Sequence, residues 1–143
     1  MSYVLMMTAD KPLPLCDRSA VRTTVSVVEG EEISISFPCG FSVSEHCYYR
    51  HCTDTLCYPF KIHQYELDLY TDQADLNNLK EYLREHFEPG ETVDFWHVCV
   101  SDIEGKSCPF RETATLDEFN LATMGKLKEI SKYGDQCWLS VTI

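Results

Sequence analysis

The residue types best suited to chemistry gather between Pro38 and His63, where Cys39, His46, Cys47, His51, Cys52 and Cys57 fall close together. Zinc takes thiolate and imidazole ligands in a tetrahedron. On a helix Cys47 and His51 would share a face at i, i+4, and Cys39 or Cys57 could complete the set. Zinc is the one cofactor this stretch would suit, and none other is expected. The spacing argues against a zinc finger, because no Cys-x-x-Cys knuckle is present and Cys47, Cys52 and Cys57 follow at five-residue steps. Unligated cysteine packs as a small hydrophobe, so core thiols and surface histidines are the plainer expectation.

A second pair, His97 and Cys99, lies two positions apart in an apolar segment. On a strand they share a face about 7 Å apart. A reactive thiolate needs an electropositive surrounding, which this acidic part of the chain does not offer, so a packed pair is expected instead of a nucleophile and base. Glu66 and Asp68, with Tyr70, alternate on what reads as the wet side of a strand. Such carboxylates resemble an acid/base pair or a site for a hard cation, although a solvated strand face needs no ligand to explain it. Gly-rich phosphate loops, a G-x-S-x-G elbow and an H-E-x-x-H pair are all missing from the sequence.

The elements that must position these residues are clearest from Gln64 to Val100. Tyr65, Leu67 and Leu69 alternate with polar neighbours, the period-2 pattern of a strand buried on one side. Asp72 is suited to cap a helix on which Leu76, Leu79, Leu83 and Phe87 share a face, and Pro89-Gly90 ends it. Val93 to Val100 is apolar at nearly every position, as in a central strand covered on both faces. Together these predict a βαβ unit with a parallel strand pair.

Before this unit, residues 3–9 read as an interior strand and residues 10–20, with Pro12 and Pro14, as an irregular connection. Val21 to Val28 and Ile33 to Phe37 flank Glu29-Gly30-Glu31 and predict a β-hairpin. Ser44 is suited to cap a short helix over 45–51. After the unit, residues 101–114 read as a loop. Thr115 and Glu118 form a capping box for a helix carrying Leu116, Phe119, Ala122, Leu127 and Ile130, kinked or split at Gly125 and ended at Gly134. Cys137 to Ile143 closes the chain as a strand. This order predicts an α+β fold, a two-layer sandwich with a mixed sheet of about six strands and two main helices on one face, in a single domain spanning residues 1–143.

In such a sheet any ligand would bind beyond the carboxyl ends of the strands. Asp72, Asp102 and Arg111 are the candidates there. The setting is acidic and suits a cationic group or hard metal, while helix capping and turn formation account for the same residues without a ligand.

Composition narrows the partners. Residues 64–104 hold eleven acidic side chains against two basic ones, a net of −9 within a chain of net −11. Phosphate backbones are repelled by such a surface, so neither nucleic acid nor an anionic membrane is an expected partner. No apolar run approaches the roughly 18 residues of a membrane span, and Tyr3 to Met7 lacks the length and basic flank of a signal peptide. A cytoplasmic setting with reduced thiols is therefore expected. The function that best fits is non-enzymatic association with an unknown protein partner or with itself, resting on this acidity and on the aromatics Tyr48, Tyr49, Tyr58, Tyr65, Tyr70 and Trp138. The alternative is a zinc-binding or thiol-dependent protein using residues 39–57. The charge yields a direct expectation: the purified chain at micromolar concentration should not shift duplex DNA or RNA in low salt, and salt-sensitive binding would contradict it.

Overall fold

The computed structural model describes residues 3–70, 72–100, 110–132 and 137–143. In chain order the elements are β1 (Tyr3–Ala9), β2 (Cys16–Asp17), β3 (Ala20–Val28), β4 (Glu31–Cys39), β5 (Phe41–Glu45), α1 (Arg50–Asp54), β6 (His63–Leu69), α2 (Gln73–His86), β7 (Thr92–Cys99), β8 (Phe110–Thr115), α3 (Leu121–Lys132) and β9 (Cys137–Thr142). Seven strands form one mixed sheet in the order β2-β5-β6-β1-β7-β9-β8, and β3 with β4 forms a separate two-stranded ribbon. The α+β sandwich with two main helices is thus present, with one strand more in the sheet than the pattern suggested.

The expected parallel pair is not formed directly. β6 and β7 do run in the same direction, but β1 lies between them and is antiparallel to both, with Met6 opposite Glu66 on one side and Trp96 on the other. The cause is visible in β1 itself, whose apolar residues occupy both parities and so need cover on both faces of the sheet. Among the described residues the parallel pair is instead β8 with β9.

One face of the sheet packs against α2 and α3. Leu76, Leu79 and Leu83 of α2 and Met124 and Leu127 of α3 meet Met7, Phe95 and Leu139 in the main core. Full burial of each such side chain contributes about 1.5–3 kcal/mol. Asp72 caps α2 as its sequence implies, accepting from the Asp75 N–H at 2.8 Å. The cap of α3 lies further on than expected. Thr115 and Glu118 do hydrogen-bond to each other, yet they sit at the end of β8, and Asn120 accepts from the Ala122 and Thr123 N–H groups to begin the helix. α3 runs unbroken through Gly125. The expected helix end at Gly134 falls outside the described residues.

The other face is covered by residues 46–62, not by a long helix. Tyr49, Cys52, Leu56, Tyr58 and Phe60 pack on Val4, Met6, Trp96 and Val98. The fully buried Trp96 ring stacks on Tyr58 and on Trp138 at centroid distances of 5.9 and 4.6 Å. The helix expected over 45–51 is displaced: Ser44 lies in β5 opposite Glu66, and the helical turn begins only at Arg50. Residues 16–17, expected in an irregular connection, add the edge strand β2, and residues 110–114, expected in a loop, form the other edge together with Thr115, expected as a helix cap.

The ribbon β3–β4 continues the pairing of β2 with β5 in unchanged register, Ala20 opposite Cys39 following Asp17 opposite Ser42. Between these two sections Gly40 has φ +89°, and a Cβ there would collide with the Arg18 carbonyl oxygen. Gly40→Ala should therefore cost about 2 kcal/mol or more, read as a fall of several degrees in melting temperature. A variant melting within a degree of the parent would show that the ribbon does not bend there.

Candidate functional site

The Cys/His-rich segment does not converge. His46 follows β5 and is buried, its Nε2 2.7 Å from Thr53 Oγ1 and its Nδ1 3.8 Å from Glu66 Oε1. Thr53 opens its hydroxyl toward the Arg50 carbonyl at 3.2 Å. With that proton spent, Nε2 donates to Thr53 and Nδ1 presents a lone pair toward Glu66. Carboxylate, imidazole and hydroxyl stand in the order of a nucleophilic triad, but Thr53 has no exposed surface for a substrate to reach. The His46–Thr53 bond ties α1 to the end of β5.

The other members lie apart. His51 and Cys52 contact each other at 3.3 Å, Cys47 and Cys57 are exposed, and Cys39 is buried at the root of the ribbon. Among the described residues no group of three or more His, Cys, Asp or Glu side chains is placed to hold a metal ion. Cys99 and His97 share the helix-side face of β7, as their parity requires. Cys99 is fully buried, and the His97 ring stacks on Tyr3 at 4.8 Å.

The residues expected at a ligand edge separate too. Asp72 caps α2 and pairs with Arg22 at 2.9 Å, its carboxyl held low first by the Asp75 N–H. Arg111 donates to Ser140 Oγ at 3.1 Å on the far edge of the sheet. Four strand spacings divide β6 from β8, a distance of roughly 19 Å. Asp102 lies outside the described residues.

A cleft does open at that end of the sheet, lined by other side chains. β1 and β6 pair only as far as Met6 with Glu66, although both strands continue for three more residues. A space of about 330 Å³ lies there, bordered by Tyr3, Tyr49, Glu66, Asp68, His97 and Lys128. Burial, and then Asp68, raises the Glu66 carboxyl above its ordinary range, and burial lowers the Lys128 ammonium. The lining can favour a cation beside the two carboxylates and an anion beside Lys128.

Among the described residues, seven of the eleven exposed large hydrophobic side chains are on the ribbon. Val21, Val25, Val27, Val28, Ile33, Ile35 and Phe37 are between 37 and 72 % exposed. Val21, Val25 and Val27 lie opposite Pro38, Ser34 and Glu32, while Ile33, Ile35 and Phe37 lie opposite Ser26, Thr24 and Arg22. Directly opposed residues share a face, so Val21, Val25 and Val27 lie on one face, and Ile33, Ile35 and Phe37 lie on the other together with Val28, which is opposite Glu31. Nine residues per strand give an arm about 30 Å long, with Glu29 and Gly30 at positive φ in its two-residue turn. Of the aromatics named from sequence, Tyr48 and Tyr70 are exposed, and Tyr58, Trp138 and Tyr65 are committed to packing.

No family model matches the chain, and no curated protein or solved structure is similar to it at a level that carries an argument.

His46 makes the local electrostatics testable. Burial first, and then the Arg50 charge, lowers its pKa, with Asp54 opposing. The unfolded imidazole titrates near its ordinary value of about 6.5. The unfolded state therefore binds more protons than the native one as pH falls below that point, and stability declines. Glu66 acts in the opposite sense at lower pH, because its raised pKa makes the folded state hold the proton more tightly. Between pH 7 and about 5.5, melting temperature should fall more steeply in the parent than in His46→Gln, whose amide can still donate to Thr53. Equal slopes would contradict the buried neutral imidazole.

Proposed function

We propose that this chain is a protein-association domain, working by contact and not by catalysis, and that its contact surface is the β3–β4 arm. The observation that carries this reading is the apolar exposure on both faces of the arm. A two-stranded ribbon with no further strand beside it among the described residues is marginal in water, and clustered exposed apolar side chains mark an interaction site. The acidity sits elsewhere: the arm from Ala20 to Cys39 carries one arginine against three glutamates, whereas residues 64–104 carry the net −9. The body is thus suited to keep the molecule dispersed while the arm is engaged.

The test replaces Val21, Val25, Val27, Ile33 and Ile35 by threonine, which keeps β-branching and removes the apolar surface. If these residues are reserved for a partner, the dilute protein should melt within about 3 °C of the parent, since solvent-facing substitutions cost little, and binding of an apolar fluorescent dye should fall. A loss of 10 °C or more would place the five side chains in the protein's own core and defeat the proposal.

A further inference from the structure

The two outer edges of the arm differ in what they can accept. β4 begins with Glu31 and Glu32 and has Pro38 near its end, which lacks an N–H. Charge and proline are the features that blunt an edge against pairing. β3, Ala-Val-Arg-Thr-Thr-Val-Ser-Val-Val, has no proline, one charge and β-branched residues at six of nine positions. Its outer N–H and C=O groups have no strand beside them among the described residues.

We propose, building on the arm as contact surface, that β3 pairs antiparallel with β3 of a second copy of this chain, so that two arms form one four-stranded sheet about a two-fold axis. Only one antiparallel register overlaps all nine residues of both strands, and it sets Thr24 against Thr24. Val21 then faces Val27 of the second copy, and Thr23 faces Val25. The valines Val21, Val25 and Val27 lie on one face of each arm, so the pairing joins six of them into one continuous stripe across the axis. The same register sets the tip residues Glu29 and Gly30 opposite Ser19 and Arg18 at the root of the other arm. The contact is made by the nine residues of β3 on each side, fewer than the roughly 20–30 per side of a standard interface, so the dimer is expected to be a weak, exchanging one. The acidic bodies stand at opposite ends, about 30 Å apart, beyond the screening length of about 8 Å at physiological salt.

The proposal is tested by sedimentation of the full chain over a concentration series. The parent should be a dimer at micromolar concentration. Val21→Glu with Val27→Glu sets like charges directly opposite at two symmetric places and should weaken the dimer at least about tenfold. Val21→Lys with Val27→Glu introduces as many charges but faces each with its opposite, and it should restore dimerisation. A parent that stays monomeric overturns the second-copy proposal. The arm as contact surface then stands or falls separately, on whether the five-threonine variant keeps its melting temperature. Two double variants that both dimerise like the parent, or that are equally monomeric, overturn the β3 register.

Discussion

The position of β1 between β6 and β7 is the constraint on which the rest of the molecule depends. A strand with apolar residues on both parities cannot sit at an edge or beneath a single layer, because one parity would then face water. Once β1 is central, Met7 and Ala9 require the helix layer, and Val4 and Met6 require a cover on the reverse. α2 and α3 provide the first. The chain between β5 and β6 provides the second, laying Tyr49, Cys52, Leu56, Tyr58 and Phe60 on the sheet without forming a long helix. The His46–Thr53 bond then anchors that cover at its entry, where the Thr53 hydroxyl also serves the backbone of α1.

The reverse face is not uniformly apolar, and its polar part has a role in fixing register. Thr8 lies opposite Gln64 on one side and Asp94 on the other, and Asp94 lies opposite Ser140. These residues form a row across four strands. Burial raises the Asp94 carboxyl, while Ser140, Lys61 and Arg111 favour its charged form. A slip of one residue in β7 would carry Asp94 to the helix-side core and Phe95 to the row. The cost of burying a carboxyl among leucines excludes that alternative more firmly than apolar matching alone, since β7 is apolar on both parities.

The helix of the central unit, both of its strands and the hairpin were legible in the sequence because each satisfies a local rule: alternation, a cap three residues before an acidic N–H partner, or a turn with positive φ. Strand order was not legible, since nothing between Leu69 and Thr92 records that β1 is inserted there. β8 was missed because Phe-Arg-Glu-Thr-Ala-Thr has too little apolar alternation to stand out from a loop. Residue type and linear proximity are what single out the candidate site residues in the sequence. Buried His46, capping Asp72 and edge-strand Arg111 answer to three different structural needs, and proximity in sequence does not distinguish these. The cleft was legible only in its general location, because the parting of β1 from β6 depends on a long-range pair.

The arm contains the most informative signal that local rules overlook. A two-residue turn at Glu29-Gly30 fixes odd positions of one strand opposite even positions of the other. Val25 and Val27 of β3 therefore fall opposite Ser34 and Glu32, Val21 falls opposite Pro38, and Ile33, Ile35 and Phe37 fall on the reverse side. No single face of such a hairpin can be laid on a core without burying serine, threonine and glutamate beside the valines, so the ribbon is excluded from its own protein's interior by register alone. The contrast with the sheet edges strengthens the point. β2 is two residues long and β8 presents Arg111 and Glu112, the usual ways of discouraging strand addition. β3 has nine residues, a single charge and neither device. Among the described residues the edges of the body are protected and the edge of the arm has no strand beside it, which is the distribution expected of an element kept for pairing with another strand.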